Sequence, residues 1–191
     1  MENKLFIPIL LLSYLLSPVI LQGKKIGNSR IRMVDGEYAK LSDFHSDGPM
    51  IINFWTTWWT YCERQLGYLN QLNKEFKDVG LTVLAVNVNK PNIINQVRPY
   101  IKKRKYKFDV AVDPSSKIAK QFKVIGYPTF LLIDKQGKII HKESGYEEGM
   151  EDLYLRKLTE YFDKEQIKHK SFSYIKKDNI NNEDRALKID F

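Results

Sequence analysis

Two long apolar runs separated by a helical segment constrain the fold of this chain more than any other feature. The runs are Met50–Trp55 (M-I-I-N-F-W) and Leu81–Val88 (L-T-V-L-A-V-N-V). Runs with little polar alternation are typical of strands that are buried on both faces of a sheet. Between them, apolar residues recur at helical spacing, at Leu66, Leu69, Leu72 and Phe76. The sequence therefore predicts a strand, a helix that begins at Cys62 and ends before Gly80, and a second buried strand.

The remaining segments complete a mixed α/β arrangement. The Asp35–Gly36 pair predicts a hairpin turn within Ile31–Phe44. Helices are expected over Asn92–Lys105, Pro114–Phe122 and Glu148–Phe162, and short strands over Phe108–Val112, Thr129–Asp134 and Ile139–Glu143. The last two strands are joined by a short turn and are therefore expected to be antiparallel. We predict an α/β fold with a central mixed β-sheet flanked by helices.

The length of 191 residues suits one domain with terminal extensions. We assign this domain to residues 26–165, because no internal repeat or linker divides that part of the chain. After residue 165 the apolar periodicity is lost and Lys, Asn and Asp become frequent. Residues 166–191 are therefore predicted to form a polar, disordered tail.

An uncharged apolar run, Leu5–Leu21, precedes the domain. It is somewhat long for a signal-peptide core, it lies at the lower limit for a membrane-spanning helix, and it lacks the polar face of a core helix. We predict an export signal or an uncleaved membrane anchor over residues 1–25, and a periplasmic or cell-envelope domain that is anchored or secreted. Positive charge is heavier after the run than before it, however, and this bias favours a cytoplasmic domain. Both orientations stay open on sequence grounds.

The chain is basic, with 31 Lys and Arg against 23 Asp and Glu and a formal net charge of +8. Two stretches are rich in lysine, Lys102–Lys107 and Lys164–Lys177. Neither carries an aromatic ladder of the kind on which single-stranded nucleic acids stack. We interpret both as solvated surfaces and predict no nucleic-acid partner.

Cys62 is the only cysteine, so the chain cannot form an intramolecular disulfide or a cysteine-based structural metal site. The three histidines, His45, His141 and His169, are dispersed without ligand spacing. We therefore predict no metal and no cofactor.

Two motifs in order along the chain carry a resemblance to a known family. Phe54–Cys62 (F-W-T-T-W-W-T-Y-C) resembles the F-W-A-T-W-C-x-x-C segment of thioredoxin-like proteins. Val124–Phe130 (V-I-G-Y-P-T-F) is similar to the loop with a cis-proline that forms the second hallmark of that superfamily. The L-S-D-F segment before the first buried strand resembles the membrane-anchored thiol–disulfide oxidoreductases of the TlpA and ResA type, within the redoxin group. The resemblance covers residues 31–162 and implies a thioredoxin-like fold.

The resemblance also assigns roles to individual residues. In the family, the first cysteine of C-x-x-C attacks as a thiolate and the second resolves the mixed disulfide. Here Trp59 stands at the attacking position and Cys62 at the resolving position, a degenerate W-x-x-C. Pro128 matches the cis-proline, with Tyr127 before it, and Asn53 falls where some thioredoxins place a buried acid. With no second thiol, Cys62 alone cannot complete dithiol–disulfide exchange.

Three functions remain open from the sequence. The first is thiol redox chemistry through Cys62, the one candidate catalytic residue, with an external thiol donor. The second is a redox-inactive module that binds a partner polypeptide at the proline groove, whose predicted residues are Trp58, Trp59, Tyr61, Tyr127 and Pro128. The third is a one-cysteine peroxidase-like activity, although the threonine and proline of peroxiredoxin motifs are not in place. The expected partners are a polypeptide or a thiol donor, and a membrane if the N-terminal segment is uncleaved.

Overall fold

The computed structural model describes residues 25–45 and 48–172. The predicted signal or anchor over residues 1–25 lies outside them, apart from Lys25, and so does the predicted tail from residue 173 onward. Within the described ranges, no helix is long and apolar enough to cross a membrane.

The described residues form one seven-stranded mixed sheet with helices on both faces. The strands are β1 (Arg30–Met33), β2 (Tyr38–Lys40), β3 (Met50–Trp55), β4 (Thr82–Asn87), β5 (Asp109–Val112), β6 (Thr129–Ile133) and β7 (Ile139–Ser144). The helices are α1 (Thr60–Phe76), α2 (Val97–Arg104), α3 (Lys117–Gln121) and α4 (Met150–Lys164). The strand order is β2-β1-β5-β4-β3-β6-β7, in which β3, β4 and β5 are parallel and the other neighbours are antiparallel. The predicted α/β class and mixed sheet are confirmed.

The sheet packs against two apolar layers, and β3 contributes to both. Ile51 and Trp55 face the layer that α1, α2 and α4 build, whereas Met50, Ile52 and Phe54 face the layer that α3 and the N-terminal segment build. All six residues of β3 are buried. Successive side chains of a strand point to opposite faces of the sheet. Because both faces are covered here, every residue of the strand must suit a buried environment.

The segment after β4 differs from its prediction. A single helix was expected over Asn92–Lys105, but Pro91–Gln96 is a 3-10 helix and α2 begins only at Val97. Pro99 gives the physical reason, because proline has no N–H to donate to the carbonyl four residues earlier and its ring crowds that carbonyl. A regular α-helix can therefore include Pro99 in its first turn but cannot extend further back.

Packing continues beyond the end of α4. Ile167 and Phe172 contact the first apolar layer, and the His169 ring lies 5.2 Å from that of Phe162. Residues after the predicted boundary at residue 165 therefore still contact the core, up to Phe172, the last residue that the structure describes.

A close approach between two glycines allows a test of the packing at the start of β3. A Cβ atom at Gly48 would overlap the backbone carbonyl group of Gly80, whereas a Cβ at Gly67 in α1 would meet nothing nearer than the Tyr106 hydroxyl at 4.0 Å. We expect Gly48→Ala to lower the free energy of unfolding by about 1–3 kcal/mol. Gly67→Ala should raise it by about 0.5–1 kcal/mol, because alanine is the better helix former. Urea unfolding of both variants checks this, and equal effects would contradict the packing.

Candidate functional site

The site begins where the chain leaves β3 and enters α1. Trp59 is the N-cap of α1 with an extended backbone (φ −105°, ψ 115°), and the helix starts at Thr60, two residues earlier than predicted. The Cys62 N–H donates a hydrogen bond of 3.0 Å to the Trp59 carbonyl. The geometry of the helix start directs the two side chains apart. As a result, Trp59 is 43% exposed and Cys62 is fully buried. The thiol and the position of the missing thiol therefore face different environments.

The Cys62 thiol lies inside the apolar layer beneath α1. Its Sγ atom is 4.0 Å from Oγ1 of Thr56, which is also buried. Burial raises the pKa of Cys62 to about 11, although hydrogen bonds from the backbone and hydroxyl of Thr56 act in the opposite direction. At neutral pH the group is a protonated, shielded thiol, which is a weak nucleophile.

Four aromatic side chains form a continuous row at the surface, which we call the aromatic rim. Its members are Trp58, Trp59, Tyr61 and Tyr146. The rings of Trp58 and Trp59 meet edge to face at 5.8 Å, those of Trp59 and Tyr61 lie at 5.8 Å, and Tyr61 stacks on Tyr146 at 5.6 Å. Trp58 is 63% exposed and Tyr61 45% exposed, so this apolar surface is open to solvent. Such rings combine large contact area with few rotatable bonds, a property of binding surfaces.

The proline loop adjoins the rim through the backbone of the β7–α4 connection. The Tyr127–Pro128 peptide bond is cis, as the resemblance implies. The Gly145 N–H donates to the Pro128 carbonyl at 2.7 Å, and the next residue is Tyr146 of the rim. Tyr127 is half-buried and packs on both apolar layers, and Pro128 is buried. Of the predicted groove residues, Trp58, Trp59 and Tyr61 thus supply the exposed surface, and the proline loop supplies backbone beside it.

Ile125 lies in the same loop and is 90% exposed. Sequence reasoning did not include it among the groove residues. The sequence places Ile125 three residues before the proline and so within the loop. Its exposure depends on the conformation of that loop, which the sequence did not predict.

Tyr146 was also absent from the predicted site, and it is held by a buried carboxylate. Its hydroxyl donates a hydrogen bond to Oε1 of Glu151, in the first turn of α4. Burial, with this hydrogen bond and the Glu151 charge, raises the pKa of Tyr146 well above its usual range, so the phenol remains a donor. Oε2 of Glu151 is buried without a hydrogen-bond partner among the described residues. The contact with Glu151 is local, but only the fold brings Tyr146 next to Tyr61, and no sequence pattern predicts that stack.

A polar network fixes the backbone that presents the rim. The side-chain carbonyl of Asn89 accepts a hydrogen bond from the Thr57 N–H at 3.0 Å, and its amide donates to Thr57 Oγ1 at 2.7 Å. Oδ1 of Asn87 in turn accepts from the Asn89 N–H at 2.9 Å. These bonds tie the turn before Trp58 to the end of β4.

Asn53 is fully buried, and both its side-chain polar atoms lack a partner among the described residues. The place where some thioredoxins keep an acid therefore holds a group that cannot ionise.

The charged residues near the start of α1 are paired, and they offer no metal site. Glu63 Oε1 forms an ion pair with Arg104 Nε at 2.7 Å, and the guanidinium lies 3.5 Å from the centre of the Tyr100 ring. Across the two described ranges, no group of three or more His, Cys, Asp or Glu side chains could hold a metal ion.

The environment of Cys62 predicts slow reaction with thiol reagents. Because its pKa is raised, the folded protein keeps the thiol protonated to higher pH than the unfolded chain does. We expect iodoacetamide to modify native Cys62 only slowly near neutral pH and faster as the pH rises toward 11. The urea-unfolded chain is the control, and its labelling rate should reach half of its maximum at about pH 8.5. Mass spectrometry measures the rates, and a native midpoint below that of the unfolded chain would contradict the burial.

The Tyr146–Glu151 hydrogen bond predicts a specific loss of stability. Tyr146→Phe keeps the ring on Tyr61 but leaves the buried carboxylate of Glu151 without its donor. We expect the free energy of unfolding to fall by about 1–3 kcal/mol. Tyr38→Phe is the matched control, because Tyr38 is an exposed residue of β2, and it should change stability little. Urea unfolding measures both, and equal stabilities for the two variants would refute the role of the pair.

The chain is similar to proteins of known family. The AhpC/TSA family model matches residues 23–142. Thiol-disulfide oxidoreductase ResA of Bacillus thuringiensis subsp. konkukian is 36% identical over 139 residues, which cover 72% of this chain and 78% of that protein. Among solved structures, the exposed lipoprotein thioredoxin Etrx1 of Streptococcus pneumoniae is 30% identical with a TM-score of 0.59, covering 70% of this chain and 99% of that one.

A more distant solved structure agrees on the fold. The thioredoxin domain of a thiol-disulfide oxidoreductase from Bacteroides vulgatus has a TM-score of 0.59 at 19% identity, covering 72% of this chain and 97% of that one. The predicted thioredoxin-like fold and the ResA-type resemblance are confirmed by these similarities. With its single buried cysteine, this chain belongs to the AhpC/TSA family and has the ResA thiol-disulfide oxidoreductases among its relatives.

Proposed function

We propose that this protein is a redox-inactive thioredoxin-fold module that binds a partner polypeptide along the aromatic rim and the proline loop. One observation carries the proposal: the position of the attacking thiol holds an exposed tryptophan, while the one thiol present is buried. An exchange reaction needs an accessible thiolate. Binding needs only an accessible surface, and Trp59 and Tyr61 contribute exposed aromatic rings to it.

The backbone beside Pro128 supports recognition of an extended segment. In thioredoxin-like folds a partner strand pairs with this backbone, and hydrogen bonds of the β type do not require electron transfer. The rim then supplies side-chain contacts next to the paired backbone, and the Gly145–Pro128 hydrogen bond keeps the two surfaces in register. The partner is therefore an extended polypeptide with apolar or aromatic side chains that face the rim.

The two redox functions receive less support from the geometry. A mixed disulfide with an external thiol donor, or reduction of a peroxide, requires the reagent to reach Sγ of Cys62. That atom lies in the core, and its pKa of about 11 keeps it protonated at neutral pH. Among residues 25–45 and 48–172, Thr56 alone makes contacts that favour the thiolate.

We also propose an extracytoplasmic location for the domain. The similarity to Etrx1, an exposed lipoprotein of Streptococcus pneumoniae, supports it. The apolar run Leu5–Leu21, interpreted as a signal or anchor, supports it as well.

Substitution of Trp59 distinguishes binding from redox chemistry. The full chain, carrying an affinity tag, is used to isolate interacting polypeptides from its source cells, and the affinity of each candidate is then measured with purified proteins. Trp59→Ala should weaken binding of the partner by roughly thirtyfold or more, the loss typical of a central tryptophan. Cys62→Ser should leave the affinity unchanged.

Tyr38→Ala is the matched control, because it removes another exposed aromatic ring, from β2 at the far edge of the sheet. The opposite pattern, in which Cys62→Ser abolishes capture and Trp59→Ala has no effect, would refute the binding function and favour the single-thiol function.

A further inference from the structure

An exposed isoleucine and three lysines lie together where α3 leads into the proline loop. Ile125, in that loop, is 90% exposed. The lysines are Lys120, Lys123 and Lys142, and all three are exposed. We call these four residues the basic loop surface. They are not part of the aromatic rim, and the proposed function leaves their charge unused.

The fold brings these lysines together from two segments of the chain. Lys120 is in the last turn of α3, and the Lys123 N–H donates to its carbonyl at 3.0 Å. Lys142 lies in β7, and its ammonium group donates to the carbonyls of Phe122 at 3.1 Å and Lys123 at 2.7 Å. β7 therefore holds its lysine directly against the segment that connects α3 to the proline loop.

The surface has an excess of positive charge. Residues 114–133, which include α3, the proline loop and β6, contain three lysines and no aspartate or glutamate. Asp113, just before them, is buried, and its carboxylate accepts hydrogen bonds from N–H groups at the start of α3. Glu143 follows Lys142 in β7 and so points to the opposite face of the sheet, where its carboxylate lies 3.8 Å from His141. These two acidic neighbours therefore do not cover the lysines.

The proline loop lies between this surface and the aromatic rim. α3 packs in one apolar layer of the sheet, and α1, whose start carries the rim, packs in the other. Tyr127 of the loop contacts both layers. The Thr129 hydroxyl fixes the loop by donating to the Gly126 carbonyl at 2.7 Å. An extended segment that pairs with the backbone beside Pro128 can thus contact the rim on one side and the basic loop surface on the other.

We propose that the partner polypeptide is acidic next to its paired segment, with an apolar side chain against Ile125 and Asp or Glu side chains beside the three lysines. Burial of an exposed isoleucine favours association. Carboxylates opposite the lysines select for acidic partners and speed their encounter with the surface. The inference rests on the proposed function, because the same segment also pairs with the proline loop. None of the four residues is aromatic, so the surface lacks the stacking platform of a single-strand nucleic-acid site.

Selection of displayed peptides tests the proposal without a known partner. Short random peptides on phage are selected on the full chain, and the selected sequences are determined. We expect them to combine apolar or aromatic residues with Asp or Glu. The variant Lys120→Gln, Lys123→Gln should lose this acidic preference. Lys142 is kept in that variant, because its ammonium group holds the loop segment in place.

The matched control removes the same charge at another place. Lys168→Gln, Lys170→Gln changes two exposed lysines on either side of His169, whose ring packs on Phe76 at the end of α1. The 17 residues of α1 separate that end from the rim by about 25 Å. This variant should retain the preference for acidic peptides. Circular dichroism verifies that both variants are folded.

The affinity for one selected peptide separates the two contacts. The peptide carries fluorescein, and its Kd is measured by fluorescence anisotropy. Ile125→Ala should weaken binding about tenfold. The variant Lys120→Gln, Lys123→Gln should weaken it about fivefold at low salt and less at high salt. When the acidic residues of the peptide are replaced by their amides, affinity should fall to the same extent, and the lysine variant should then have no further effect.

The outcomes distinguish this inference from the proposed function. If selection requires Trp59 but shows no acidic preference, the inference is overturned and the proposed function stands. If Trp59→Ala selects the same peptides as the unchanged chain, the rim is not the binding surface and both are overturned. Equal loss of the acidic preference in the two lysine variants would mean that net charge alone acts, and would overturn the inference. Unchanged peptide binding by Lys120→Gln, Lys123→Gln, with loss of binding to a single-stranded oligonucleotide, would overturn it as well.

Discussion

Complete burial of β3 at the centre of the sheet is the constraint on which the rest of the structure depends. The strand is hydrogen-bonded to β4 on one edge and β6 on the other, and its side chains enter both apolar layers. Because the strand is fixed on both edges and both faces, the chain leaves the sheet at one defined point. Thr56 remains inside against Cys62, and Trp58 and Trp59 emerge at the surface. The core, rather than the turn itself, therefore sets the geometry of the candidate site.

Two electrostatic effects compete at the start of α1, and their outcome depends on which side of the helix a thiol occupies. Free N–H groups and the helix dipole favour an anion in the first turn. Loss of hydration opposes it, and for Cys62 this effect is larger, since the pKa rises to about 11. A thiol at the exposed position of Trp59 would experience the same favourable field with far less desolvation. The chain thus has its thiol at position 62, where burial has the larger effect on the pKa. It has no thiol at position 59, where the helix dipole would have the larger effect.

The sequence predicted the fold, and it failed where distant segments meet. Apolar runs and turn residues located β3, β4 and the hairpin at Asp35–Gly36 because these signals are local. The break at Pro91–Gln96 was missed, although Pro99 carried a local signal for it. Tyr146 could not be found in this way, because its role depends on a stack with Tyr61 and on the buried carboxylate of Glu151. The stack joins residues that are far apart in the sequence, and only packing decides it.

The position of Trp59 explains how the chemistry of such a domain can change while its fold does not. An N-cap side chain points out of the helix and makes few core contacts, so a tryptophan there costs little in folding and adds apolar surface. Cys62, by contrast, fills space between the sheet and α1, and a change there would leave a cavity or a clash. Packing alone is therefore sufficient reason for a cysteine at position 62, whichever residue stands at position 59. The surface at the carboxyl ends of the strands can then vary in composition without a change in the core.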